Sequence, residues 1–466
     1  MPASSDRLEY LPIHVLSHLI AADRLTPSTL VDLFLNRIAT LDAKLHAFVS
    51  VDAATARLAA EAATKSLRAG YRLGPLHGIP IALKDLIEIE GQVTSGGSLT
   101  MSGRISETTA TLVRRLTRAG MIVLGKAHTC EFAVSGWGTN QHLGTPWNPW
   151  HSDVHYIPGG SSSGSAVSVA AGLTPCAIGT DTGGSVRLPA SFCGIVGLKT
   201  TVGRISRHGI LATSPSLDSV GPLTRSVEDA ALLFDSFQGE DPLDPATVRV
   251  PRADVLCNLK RGIRGLRIGL IAEPERRLCD GEVLARYDAA SKVLEELGAD
   301  IVEAHLPRSF ADYQKQAGRI ITPESYAIWG PYVDRPELSI DENVRARILP
   351  GRDVKVSDYC LAVREREQLK REYAEATAEL DAILTPTTPT PAIPVADVNE
   401  KESPSLFTRA GNFLDLCALA LPAGFNSRGL PVSIQIMTMS YDEATALRIG
   451  WAYEQAAGWS ALPPGI

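Results

Sequence analysis

Residues 159–187 read GGSSSGSAVSVAAGLTPCAIGTDTGGSVR, and the reading of this stretch decides the fold. Two small serine clusters flanked by glycine are joined by an apolar segment. A Gly/Ser-rich run is ordinarily a flexible linker. Here the glycines bracket SAVSVAA, which suits a packed helix of small residues, and TPCAIG, which suits a buried strand. The clusters therefore sit at the ends of core elements. Glycine there permits a positive φ or a close approach of the backbone to a ligand.

Strand and helix signals continue outward in both directions. Upstream, Thr26-Pro27 predicts a helix cap with proline at the first helical position, leading into an apolar-periodic helix over 28–43. A second helix is predicted over about 52–69, then a strand IALK ending at Lys84, a helix over 107–119 and a buried strand MIVLG. Downstream, Ser226 caps the predicted helix SVEDAALLFDSF. The strands RIGLIAE, ADIVEAH, DAILTP and LPVSIQIM then alternate with helices over 282–297, 356–380 and DEATALRIGWAYEQA. Alternation on this scale predicts an α/β fold, with a large mixed, mostly parallel twisted central sheet covered by helices on both faces. Two stretches, 239–263 and 386–404, break the rhythm. Strand and helix signals resume on either side of each, so both read as long surface loops.

The bulk numbers narrow the function classes. The chain has 466 residues, 44% of them apolar, which is ordinary for a folded globular protein. Its net charge is −7 with both signs interspersed, whereas nucleic-acid binding calls for a basic face. The 7 cysteines form no C-x-x-C pair, so neither a disulfide framework nor a zinc knuckle is expected. The opening MPASSDRLEY lacks the regions of a signal peptide, and no apolar run approaches the ~18 residues of a membrane span. These features favour a reducing cytoplasm, with no membrane and no nucleic acid as partner.

The chemistry sits in the second cluster. Thr182-Gly183-Gly184-Ser185 follows a strand and precedes a segment that can start a helix. Backbone N–H groups at such a turn converge on an anion, either a phosphate or the oxyanion of acyl transfer. The phosphate motif needs a lysine after the glycines, and none follows. The oxyanion reading needs a nucleophile beside the nest, and Ser185 stands there. A serine needs a base. None of the ten histidines lies within 159–187. Lys84, at the end of an apolar strand, can lose its charge through burial, while Asp85 points to the opposite face. By itself this leaves a strand-end surface lysine as the plainer alternative.

GGSSSGSA, GTDTGGSVRLPASFCGIVGLKT and the upstream GIPIALKD resemble the amidase signature family. AGMIVLGKAHTCEFA, GTPWNPW, SLDSVGPLTRSVEDAALL, DAILTPTTPTPAIP and GLPVSIQI resemble further family segments in the same order, so the similarity spans nearly the whole chain. The resemblance implies a single amidase domain over 1–466, with its signature core at about 75–240 and a variable substrate-side segment at about 305–360. It places the catalytic lysine on Lys84, the bridging serine on Ser161 after a cis peptide from Gly160, and the acyl-forming serine on Ser185. The oxyanion donors fall on the backbone of Thr182, Gly183, Gly184 and Ser185, with Asp181 and Arg187 supporting the loop. The implied activity is hydrolysis of a small-molecule amide, or a urea- or carbamate-like relative, at a non-peptide C–N bond. No cofactor and no metal are expected; a homodimer is a possible assembly.

Departures from the family pattern bear on the substrate. In the A component of the tRNA-dependent amidotransferase, an aspartate about seven residues before the asparagine matching Asn412 grips the amino group of glutamine. Ser405 stands at that place here, with Arg409 between. Arg347 in RILPG aligns with the carboxylate-binding arginine of that component. Trp137, Trp329 and Tyr332 could form an aromatic wall, although core packing is the commoner use of such residues. Two other readings compete. One is an A-type subunit of a glutamine-dependent amidotransferase assembly. The other is an α/β-hydrolase with Ser162 in G-x-S-x-G, which needs a strand directly before the motif; PWNPWHSDVHYIP is a poor strand.

Overall fold

In a computed structural model the described residues are 7–464, so residues 1–6 of the polar N-terminal stretch read above lie outside them. Eleven strands build one sheet. They are β1 Phe48–Val51, β2 Pro80–Lys84, β3 Ile122–Ala127, β4 Cys176–Asp181, β5 Val196–Lys199, β6 Ser219–Thr224, β7 Arg267–Leu270, β8 Asp300–Glu303, β9 Ala382–Pro386, β10 Cys417–Phe425 and β11 Pro431–Thr438. Their order across the sheet is β1-β3-β2-β4-β6-β5-β10-β11-β9-β7-β8.

The mixed α/β sheet with its helices is as expected; the preponderance of parallel pairs is not. Six of the ten neighbouring pairs are antiparallel. The parallel pairs are confined to β3-β2-β4 on one flank and β9-β7-β8 on the other. The strands legible in the sequence are largely those of the βαβ type on the flanks. The middle is held by β5, β6 and β10, whose short or proline-containing segments VGLK, SVGPLT and CALALPAGF carry weaker strand signals.

Every residue of β2, β4, β5, β6, β9 and β11 is buried. Successive side chains on a strand point to opposite faces, so both faces of the sheet are covered there. Helix starts obey local chemistry. Thr26 accepts a hydrogen bond from Thr29 N ahead of the helix Pro27–Leu45, and Ser226 does the same for Asp229 N ahead of Val227–Phe237. The helix expected over 107–119 is shorter, Thr111–Arg118, and the long one is Val356–Ala376. The loop-like stretches 239–263 and 386–404 connect β6 to β7 and β9 to β10, strands of the same sheet. A helix Phe310–Val333 runs through the segment expected to vary with substrate.

Candidate active site

The site forms where parallel strands end side by side. Lys84 is the last residue of β2, and Thr180 lies near the end of its neighbour β4. Crevices at the carboxyl ends of strands are the usual ligand positions of α/β sheets. Lys84 is fully buried, and its Nζ donates to Ser161 Oγ at 2.6 Å and to Thr180 Oγ1 at 2.8 Å. Burial brings its pKa down from 10.5 to about 7, with Cys130, Asp181 and Asp218 acting in the opposite sense. Among the described residues no carboxylate approaches Lys84 within 4 Å. Asp85 turns away, accepts from Ser95 N and Oγ, and lies 3.8 Å from Lys126 Nζ.

The first serine cluster is clamped in place. The Gly160–Ser161 peptide is cis, as the family resemblance implies. Gly160 N donates to Gly136 O, and Cys130 N to Ser161 O. A Cβ at Gly160 would come within 2.7 Å of Cys130 Sγ and 2.8 Å of Ser135 O, so only glycine fits this close approach. Ser162 is fully buried, its hydroxyl donates to Thr180 O, and no strand precedes it, which leaves it unsuited as an exposed nucleophile. Ser162 N donates to Ser185 O at 3.2 Å and ties the two clusters together.

Asp181 and Arg187 shape the second cluster from behind. Both are wholly buried. Arg187 donates from Nη2 and Nε to the two Asp181 oxygens at 2.9 and 3.0 Å, and also to Gln435 and Asn412. Burial alone would raise the Asp181 pKa, but Arg187 and the surrounding donors hold it well below the usual carboxylate range. The same carboxylate accepts from Gly184 N at 2.7 Å and Val186 N at 3.1 Å. The Gly184 N–H therefore points inward. Those of Thr182, Gly183 and Ser185 have no partner among the described residues. Thr182 Oγ1 donates to Asp218, which also accepts from Thr213 N and Ser214 N.

Ser185 opens onto a cavity with about 550 Å³ of empty space. Its hydroxyl makes no hydrogen bond to a described residue. The walls include Ser135, Thr182, Gly183, Ile321, Arg347 and Arg409. The segment at about 305–360 expected to vary with substrate thus contributes Ile321 and Arg347, but Trp137, Trp329 and Tyr332 do not line the cavity. Trp329 stacks on Phe132 with centroids 4.0 Å apart, Tyr332 packs against the pair, and Trp137 donates to Glu402 O. Arg347 is bound within the chain, to Glu400 Oε2 at 2.7 Å and Val134 O at 2.9 Å. Sequence reasoning missed Thr180, Asp218 and Gln435; each lies on or beside a strand whose partner is remote in sequence. No cluster of metal-binding side chains occurs among the described residues, and none of their helices is long and apolar enough to cross a membrane.

Comparisons with known proteins bear on the family and the fold. A family model described as Amidase matches residues 29–447. The A component of the glutamyl-tRNA(Gln) amidotransferase of Chloroflexus aggregans is 36% identical over 487 residues, covering 98% of this chain and 99% of that one. The native peptide amidase of Stenotrophomonas maltophilia superposes with a TM-score of 0.86 at 32% identity, over 97% of this chain and 98% of that one. An inhibitor-bound protein complex tied to the evolutionary origins of an s-triazine catabolic enzyme holds a chain that superposes with a TM-score of 0.91 at 30% identity, over 97% of this chain and all of that one.

Proposed function

This chain belongs to the amidase signature family, and from that premise we propose that it hydrolyses a small-molecule amide through an acyl-enzyme on Ser185. The observation that carries the reading is the contact between Lys84 Nζ and Ser161 Oγ, 2.6 Å long and shut away from water, with the lysine pKa brought to about 7 by burial. A neutral amine there accepts the Ser161 hydroxyl proton, and Ser161 in turn accepts the proton of Ser185. Ser185 Oγ forms its bond to the amide carbon as the carbonyl π pair moves onto oxygen. The backbone N–H groups of Thr182, Gly183 and Ser185 meet that oxyanion. On collapse the C–N bond breaks, and the proton returns along the relay to the leaving amine. Water then enters by the same path and releases the acid. The Ser161–Ser185 contact is left to the substrate complex, where catalytic hydrogen bonds commonly tighten.

The test is covalent. A fluorophosphonate should add to the tryptic peptide that carries Ser185, and Ser185→Ala should abolish both the adduct and amide turnover with the fold intact. An adduct on Ser162 or on a cysteine would sink the mechanism.

A second reading has support from the Chloroflexus aggregans relative, which is the A component of an amidotransferase. The cavity speaks against a glutamine site. Ser405 stands where an acid is needed, and its oxygen is engaged by Arg409 Nε, Gln314 Nε2 and Ser403 Oγ. The isolated chain is therefore expected to release negligible ammonia from glutamine and to need no second protein for amide cleavage. Robust glutaminase activity would favour the assembly reading instead.

A further inference from the structure

The charge inventory of the Ser185 cavity is one-sided. Two guanidinium groups, Arg347 and Arg409, reach its wall, and no carboxylate does. Arg347 is already paired with Glu400. Arg409 is not paired: its Nε donates to Ser405 Oγ at 3.1 Å, and among the described residues no carboxylate lies within 4 Å of it. A guanidinium offers five N–H donors. Other arginines inside this protein use theirs. Arg187 holds Asp181, Asn412 and Gln435, Arg204 holds Glu443, and Arg225 is capped by the carbonyls of Tyr10, Leu11, Val169 and Thr174. Arg409 alone of these keeps its fork free, and it keeps it on the cavity beside the nucleophile.

Its placement is built into the nest. A Cβ at Gly183 would lie 2.7 Å from Arg409 Nε and 3.3 Å from its Cζ, so any side chain at Gly183 would displace the arginine. Gly183 is not in the left-handed region; its lack of a side chain serves this close approach. Burial together with the like charge of Arg347 pulls the Arg409 pKa down to about 10. It remains protonated at neutral pH, part-buried on the cavity wall, with its charge met by a neutral hydroxyl and no carboxylate. A bound anion would supply the missing counter-charge and accept a bidentate fork.

We infer that the Ser185 cavity selects amides whose acyl part carries a carboxylate a few bonds from the scissile carbonyl, held by the Arg409 guanidinium. This rests on the amidohydrolase reading of the same site. Because the Arg409 side chain lies close against Gly183, next to the donors that would meet the carbonyl oxygen, the carboxylate belongs to the acid half of the substrate and on a short tether. The substrate class is the half-amide of a short dicarboxylic acid. An α-ammonium group finds no acid in the wall, so amino-acid amides fit poorly.

The experiment compares malonamate, succinamate and glutaramate with propionamide, butyramide and glutamine. Wild-type kcat/KM for the best half-amide should exceed that of its neutral counterpart roughly 10- to 100-fold, the span expected of a charge-assisted bond. Glutaramate should outrun glutamine, from which it differs only by the missing amino group. Arg409→Met should collapse the half-amide to neutral-amide ratio towards unity, and Arg409→Lys should keep part of it. Fluorophosphonate labelling of Ser185 in each variant reports whether the site is still formed. In the wild type, malonate or succinate should protect Ser185 from that label better than acetamide does. Neutral amides cleaved as well as half-amides, with Ser185 labelling normally, would overturn the inference and leave the amidohydrolase reading standing. An unchanged ratio in a labelled Arg409→Met protein, or no protection by dicarboxylates, would also overturn it. No cleavage of any amide and no adduct on Ser185 would bring down both.

Discussion

Replacing Lys84 by methionine should make this protein more stable at neutral pH while destroying its activity. Folded, the amine releases its proton near pH 7, against 10.5 for an ordinary lysine. Below about pH 7 the group is charged in both states, and the full cost of holding that charge in the fold applies. As pH rises from 7 towards 10.5 the unfolded chain binds more protons than the folded one, so wild-type stability climbs and the cost fades. At ~1.4 kcal/mol per pKa unit the cost is about 4 kcal/mol at pH 7 and about 1.4 kcal/mol at pH 9.5. Methionine fills a similar volume but strips Ser161 and Thr180 of their partner, a loss of about 1 kcal/mol each. The net expectation is a variant about 2 kcal/mol more stable than wild type at pH 7, and no more stable at pH 9.5.

Unfolding entropy for a chain of this length is roughly 1 kcal/mol per kelvin, so the Tm advantage should be about 2 °C at pH 7 and should vanish or reverse by pH 9.5. Thermal melts of the two proteins, run side by side at both pH values, measure it. The comparison cancels every other titrating group the two proteins share. A Tm difference that does not move with pH would mean that Lys84 keeps its ordinary pKa, and a lysine charged at pH 7 to 9 cannot serve as the base proposed.

Three further outcomes follow from the same geometry. Lys84→Arg should lose as much kcat as Lys84→Ala, because arginine cannot accept the Ser161 proton; retention of most of the wild-type rate would reduce the lysine to a fixed positive charge. Wild-type kcat/KM should rise with pH through about 7 and hold at mildly alkaline pH, since the required form of Lys84 is the neutral one. Asp181→Asn should cost about 3–5 kcal/mol by stranding the Arg187 charge in the core, and the loss in Tm should be constant from pH 6 to 9, where Asp181 is ionised both folded and unfolded.

Much of this was legible in the sequence, and the part that was not shares one cause. Helix starts such as Thr26 and Ser226 are decided within a few residues, so their caps could be read locally. The two serine clusters announced themselves because glycines at the ends of an apolar segment have few other uses. The surroundings of Lys84 depend on which strand lies beside β2, and Thr180 reaches it only because β4 does. The antiparallel centre of the sheet stayed hidden for the same reason: VGLK and SVGPLT become strands through partners drawn from distant segments. In the sequence Arg409 stands with Ser405 where an acid is expected, and its place against Gly183, with which it has no local relation, is visible only in the fold.

Lys84 and Arg409 pose one physical problem with two solutions. Each is a basic side chain brought into the site with no carboxylate within reach, while the carboxylates nearby are spoken for: Asp181 by Arg187, Asp85 by Ser95 and Lys126, Asp218 by Thr182 and two backbone N–H groups. A cation in that position can shed its proton or acquire an anion. Lysine can do the first, at a pKa brought to about 7, which suits it to the proposed role of base. Arginine cannot, since even at a pKa of about 10 it keeps its charge, which suits it to the proposed role of receptor for the anion the protein withholds. Exchanging the two residue types would break both functions. An arginine at position 84 leaves Ser161 without a proton acceptor, and a lysine at position 409 offers a single point charge in place of a fork.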